Sequence, residues 1–322
     1  MPDDRSPVTY RNPVYDRYFA DPFVLLVGEQ YYAYGTRDPA DKGTFDVLRS
    51  SDLVSWERVG RALDPLGSPD AEDYWAPEVA HADGRFYMYY SAGRGDAGHY
   101  IRVAVASDPV GPFVDQGVAV TPQGAFGIDA HPFQDDDGTW YLFYARDLLD
   151  GDRPGTTIAV DRLTTMTSLR GEPRTVVRPT ADWQLYLAQR QIYGQVFDWH
   201  TVEGPFVRKH AGRYYCLYSG GNWQQANYGV SYVVADSPLG PWHAPDAAGP
   251  TILQGVPDAV IGPGHNSVVT GPDGEDWLVY HAWDPQLTAR RMCIDRLVWG
   301  PDGPARSGPS QGPQHGPQPA PR

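Results

Sequence analysis

Apolar and aromatic residues come along this chain in short alternating runs, not in long helical stripes. Ile101-Arg102-Val103-Ala104-Val105-Ala106 and Tyr214-Tyr215-Cys216-Leu217-Tyr218 are typical. Runs of this length, bounded by Gly, Pro and Asp, predict short β-strands. No helix of ordinary length is evident. One composite pattern recurs five times: a short strand, a tight Gly or Asp turn, then an aromatic-rich strand. The aromatic residue opening each second strand falls at Tyr31, Phe86, Trp140, Tyr214 and Trp277. Asp-Gly ahead of such a run, as at Asp83-Gly84, Asp137-Gly138 and Asp273-Gly274, is a strong hairpin signal.

The interval between successive repeats accommodates about four short strands with their loops. A second marker, Asp108-Pro109-Val110-Gly111-Pro112 and its likeness Ser237-Pro238-Leu239-Gly240-Pro241, reads as the turn between third and fourth strands. Such units imply an all-β fold, a five-bladed β-propeller of four-stranded antiparallel blades, with the first strand of every blade facing a central funnel. The expected domain spans residues 1–300. Residues 301–322 are mostly Pro, Gly, Gln and Ser, and predict a mobile tail.

Composition narrows the function. A net charge of −14 argues against nucleic acid and against an anionic membrane surface. The 21 Tyr and 10 Trp suit both β-sheet packing and stacking on sugar rings. Cys216 and Cys293 form no metal-binding or disulfide pattern, and Cys216 reads as a buried thiol. The first residues carry no apolar leader, so the expectation is a cytoplasmic enzyme. No protein partner is evident.

Carboxylates stand where innermost strands begin. Asp21, Asp129 and Glu203 each lie in apolar or small-residue contexts, and Glu78 opens the second unit similarly. Acids before Pro or Gly often do no more than start turns. Their recurrence at one phase of several units points instead to a shared site. Two carboxylates across a funnel suit glycoside hydrolysis: one protonates the leaving oxygen, the other activates water. A third nearby would raise the acid's pKa by repulsion.

At these residues the chain resembles glycoside hydrolase family 43, the group of α-L-arabinofuranosidases, β-D-xylosidases and arabinanases. The matching segments are Ala20-Asp21-Pro22, Trp75-Ala76-Pro77-Glu78, Gly127-Ile128-Asp129, Val202-Glu203-Gly204-Pro205, Gly262-Pro263-Gly264-His265-Asn266-Ser267 and Ala289-Arg290-Arg291-Met292. The resemblance implies an inverting hydrolase with Asp21 as general base, Glu203 as general acid and Asp129 orienting that acid. It implies an oligosaccharide or polysaccharide substrate and no cofactor for the chemistry. Trp75, Ile128, Arg290 and His281 are the candidate substrate contacts, with Arg291 a register alternative to Arg290 and packing an alternative for His281. The resemblance also raises His265 as a ligand of an axial calcium ion. A backbone hydrogen bond is an equal reading, since calcium prefers oxygen.

The finer expectation is exo action on terminal α-L-arabinofuranosyl residues, with the long insert around Trp183-Gln184-Leu185-Tyr186 closing one end of the cleft. A β-xylosidase, an endo-arabinanase and a non-catalytic carbohydrate-binding propeller remain alternatives. Arg37-Asp38-Pro39 matches a motif of retaining fructan hydrolases, but its place after the first aromatic strand reads as a turn.

Overall fold

The computed structural model describes residues 8–41, 43–69, 71–95, 98–121 and 126–318. Residues 1–7, on which the leader reading rests, and the last four residues of the tail lie outside them. The fold is all-β. Ala20–Val27, Gln30–Thr36, Phe45–Ser50 and Glu57–Arg61 form one antiparallel sheet. Asp73–Ala82, Arg85–Gly93, Tyr100–Ala106 and Val114–Ala119 form a second. Ile261–Thr270, Asp276–Trp283 and Arg290–Arg296 form a third, of three strands.

Between these lies a ten-stranded sheet containing two further meanders. One begins with Gly127–Gln134, Trp140–Leu148 and Gly155–Thr165, the other with Gln195–His210, Arg213–Gly220 and Gly229–Ala235. They fuse where Gly155-Thr156 runs parallel to His200-Thr201. The 16-residue strand Gln195–His210 explains the fusion. Its first part pairs with the insert strand Leu185–Ile192, its second with Arg213–Gly220. Hydrogen bonding alone therefore does not divide the chain into five separate four-stranded units.

The five opening strands nevertheless make a ring. Ala20–Val27 packs on Asp73–Ala82, that on Gly127–Gln134, that on Gln195–His210, that on Ile261–Thr270, which returns to Ala20–Val27. Local chemistry supports each meander. Asp83 and Gly84 both take positive φ, 50° and 70°, as a two-residue hairpin turn requires. Adjacent sheets are joined by aromatic packing: Phe45 meets Tyr74 and Tyr90 edge-on at ring separations of 6.3 and 5.7 Å. Burying one such ring stabilises by about 1.5–3 kcal/mol. Cys216 and Cys293 are free and buried in this packing.

The expectation of a mobile tail is corrected over residues 301–318. Gln314-His315 pairs with Thr9-Tyr10, and Gly316 N–H donates to the Val8 carbonyl. The Ser310 N–H donates to Asp295, and Ser307 N–H to the Ile252 carbonyl. These anchors are largely backbone hydrogen bonds, which need no apolar side chain, so composition does not reveal them.

Candidate active site

Each strand of the inner ring carries a β-bulge, near its start in four of them and midway along Gln195–His210. The register slips between Ala20 and Phe23, Trp75 and Glu78, Ile128 and His131, Glu203 and Phe206, and Gly264 and Ser267. At each slip one residue takes a left-handed backbone: Asp21 (φ 49°), Ala76 (47°), Asp129 (58°), Gly204 (56°) and His265 (49°). Such conformations are strained for residues with a Cβ, and bulges re-aim side chains at the ends of strands. The strain is offset by fixed amide partners. Asp21 N–H donates to His281 Nδ1 (3.1 Å), Ala76 N–H to Thr36 Oγ1 (2.9 Å), Asp129 N–H to Ser91 Oγ (3.1 Å) and His265 N–H to Ser219 Oγ (2.7 Å).

The bulges bring Asp21, Asp129, Glu203 and His265 to one cavity of about 310 Å³. The sequence reading put the three acids at one phase, and the structure corrects it by one residue. Asp21 and Asp129 are the left-handed residues themselves. Glu203 precedes its left-handed residue, in phase with Trp75 and Ile128. Glu78 lies beyond the bulge and faces His131 at 2.7 Å, off the cavity wall.

Electrostatics separate the two outer acids. Burial alone would raise the Asp21 carboxyl, but Arg290 and then His265 more than offset it and hold it well below the usual carboxylate range. The Arg290 Nη1–H donates to Asp21 Oδ1 at 3.0 Å, and His265 Nδ1 lies 3.3 Å from the same oxygen. Burial, helped by the charge of Asp21, pushes the Glu203 carboxyl up to about 7. Tyr228 opposes this by donating its hydroxyl to Glu203 Oε1 at 2.7 Å. Asp129 is raised by burial, then by Glu203 and Asp21, while Gly204 N–H donates to its Oδ2 at 3.1 Å. Asp129 and Glu203 thus form a buried pair that retains a proton near neutrality. An ionised carboxylate and a protonated one on the same cavity are the two states that general base and general acid require.

The walls come from several sheets. Trp75 stacks on His99 with ring centroids 3.5 Å apart. Ile128 and Arg290 line the cavity. Arg290 also reaches Tyr18 and lies over the Trp223 ring at 4.5 Å. The alternative, Arg291, pairs with Asp284 and the Asp16 carbonyl, away from the cavity. His281 is corrected as a substrate contact: it has no exposed surface and is absent from the wall, because its ring sits behind Asp21. Burial lowers it to about 4, so the ring is neutral and its Nδ1 accepts the Asp21 N–H.

Several wall residues are not apparent in the sequence. The insert strand Leu185–Ile192 contributes Tyr186 and Arg190, and Trp223 comes from a loop. Asp147 also faces the cavity, accepting from Tyr193 (2.6 Å) and Thr156 (2.9 Å). Of these, only Tyr186 belongs to a segment singled out from sequence. Pro39, from the fructan-hydrolase-like motif, reaches the rim, while Arg37 pairs with Asp46.

The calcium expectation does not fit these residues. Among the described residues no group of three or more His, Cys, Asp and Glu side chains could hold an ion. His265 is engaged with Asp21, and an imidazole is a poor calcium ligand.

Comparison with known proteins decides the family. Residues 10–304 match the sequence profile of "Glycosyl hydrolases family 43". The chain belongs to glycosyl hydrolase family 43. A protein named beta-D-galactofuranosidase xynD, from Aspergillus niger, is 33% identical over 91% of this chain and 83% of its own length. An extracellular exo-alpha-(1->5)-L-arabinofuranosidase from Streptomyces avermitilis is 26% identical over 92% of this chain and 62% of its own length. A solved thermostable family-43 glycoside hydrolase superposes with a TM-score of 0.84 at 36% identity, covering 96% of this chain and 99% of that one. As a family 43 member, the chain is an O-glycosyl hydrolase with a carbohydrate substrate. Its structural neighbours in the family are β-propellers.

Proposed function

We propose that the protein removes terminal furanosyl residues, α-L-arabinofuranose first among them, from oligosaccharides by inverting general acid/base hydrolysis. The observation that carries this reading is the opposite treatment of carboxylates on one cavity: Arg290 and His265 hold Asp21 ionised, while burial raises Glu203 to about 7, where it shares a proton with Asp129. Asp21 takes a proton from water as it attacks the anomeric carbon. Glu203 gives its proton to the departing oxygen, and a free sugar with inverted anomeric configuration results. The small cavity and the insert wall of Tyr186 and Arg190 support exo action. The carbohydrate-binding alternative gives no reason to keep this acid pair.

A second reading, β-D-galactofuranosyl hydrolysis, is favoured by the name of the Aspergillus niger relative. The two furanosides share a ring configuration and differ in the exocyclic arm. Aryl α-L-arabinofuranoside, β-D-galactofuranoside and β-D-xyloside, assayed side by side with Asp21→Ala as control, separate these readings. The furanoside reading requires turnover of a furanoside that the Asp21 variant lacks. Preference for the xyloside, or product with retained configuration, overturns it.

A further inference from the structure

The amide partners of the five bulges obey a ring rule, and one position breaks it. In each of the five meanders, the second strand places one residue opposite the residue just before the left-handed one. These residues are Thr36, Ser91, Ala145, Ser219 and His281, opposite Ala20, Trp75, Ile128, Glu203 and Gly264. Each polar member reaches forward to the next sheet and accepts that sheet's left-handed N–H. Thr36 accepts from Ala76, Ser91 from Asp129, Ser219 from His265, and His281 closes the circle by accepting from Asp21.

Ala145 has no acceptor to offer. The amide it would hold belongs to Gly204, and that N–H goes to Asp129 Oδ2 at 3.1 Å. Glu203 is the residue immediately before that amide. We propose that Ala145 is a positioning residue: by offering no acceptor where its four counterparts do, it leaves the Gly204 N–H to the Asp129 carboxylate and fixes that carboxylate against Glu203. This inference rests on the reading of Glu203 as general acid and goes one layer deeper. Glycine at 204 belongs to the same device, since its φ is 56° and a Cβ there would meet the His265 ring at 3.1 Å.

The groups facing the pair are fixed. The charges of Glu203, Asp21 and Glu78 act on Asp129, the last from beside His131. Glu203 accepts from Tyr228 and feels the charges of Asp21 and Arg290. Ala145→Ser restores the acceptor that Ser91 and Ser219 supply elsewhere in the ring. Asp129 then loses a hydrogen bond that favours its charged form. It competes better for the proton it shares with Glu203, and the acid is left unprotonated more often.

The test is a carboxyl-carbon NMR titration of Asp129, assigned with Asp129→Asn, in wild type, Ala145→Ser and Ala145→Cys. Cysteine adds comparable bulk with a weak acceptor, so it reports packing damage alone. The midpoint of Asp129 rises by about one pH unit in Ala145→Ser, a roughly tenfold change in proton affinity, and by less in Ala145→Cys. In parallel, hydrolysis of a substrate with a poor leaving group falls by up to about tenfold relative to an activated aryl glycoside, and its alkaline limb moves to lower pH. An unchanged Asp129 midpoint, or equal shifts in the serine and cysteine variants, overturns the proposal. If wild type cleaves none of the glycosides, the reading of the site as a furanosidase falls, and the titration still decides the role of Ala145.

Discussion

Tyr228→Phe is the most direct probe of how the acid is poised. The Tyr228 hydroxyl donates to Glu203 Oε1 at 2.7 Å and favours the charged carboxylate. A hydrogen bond to a charged group contributes about 1.5–3 kcal/mol, and one pKa unit corresponds to about 1.4 kcal/mol. Removing the hydroxyl therefore raises the Glu203 carboxyl from about 7 by roughly one unit or more. The sign is fixed, because loss of a donor to the anion favours the neutral acid. The assay is the pH dependence of kcat/KM, which reports the free enzyme. The alkaline limb of wild type falls near 7 and that of the variant near 8 or above, as macroscopic values of the Asp129–Glu203 pair. The phenyl ring preserves packing, including the parallel stacking on His281 at 6.1 Å. The stability cost stays near 1 kcal/mol, checked by urea unfolding. A limb that stays in place or moves to lower pH refutes Glu203 as the ionising acid.

The remaining expectations concern the charges around that acid. Glu203→Gln lowers kcat for a substrate with a poor leaving group by about 10²–10⁴ and spares an activated aryl glycoside; equal losses on both count against acid catalysis. The same variant tests the pH dependence of stability. A carboxyl raised to about 7 contributes fully below its unfolded value of 4.5 and loses that contribution as pH rises through 7. Glu203→Gln should therefore narrow the fall in Tm between pH 5 and 8, and an unaltered fall refutes the assignment. Arg290→Met leaves Asp21 buried without its cation and costs about 3–5 kcal/mol. Because the Asp21 carboxyl is depressed, its contribution is present above about pH 4 and lost on acidification, so that loss of stability is largest near neutrality. Prolonged treatment with a chelator leaves kcat unchanged; loss of activity that calcium restores would contradict the reading of His265 as an Asp21 partner.

Much of the site was legible because repeats set a phase. Asp21 and Asp129 stand where each strand turns toward the axis, and unpaired burial of a carboxylate is costly enough to require a function. The one-residue offset of Glu203 was not legible. A bulge is a backbone event, and in this chain its left-handed residue is Asp, Ala, Gly or His, so no residue type marks it. His281 was left between substrate contact and packing for a related reason. Its partner Asp21 lies 260 residues away in sequence, and only closure of the ring brings them together. The tail escaped because hydrogen bonds from its backbone, not apolar side chains, hold it down.

What repeats around the ring is scaffold, and what departs from the repeat is chemistry. Four of the five bulge amides take a side chain from the preceding sheet, which fixes the backbone without touching the cavity. The fifth is left to a catalytic-site carboxylate because its position in the preceding meander holds alanine. Glycine suits the left-handed position next to Glu203, because a Cβ there would crowd the His265 ring at 3.1 Å. That crowding disfavours an aspartate at the left-handed position of the fourth inner strand. The acid stands one residue earlier, in phase with the wall residues Trp75 and Ile128, where the longer glutamate side chain reaches Tyr228. The offset that sequence phase could not reveal thus follows from packing between neighbouring strands, and it places the acid at the junction where the ring rule is relaxed.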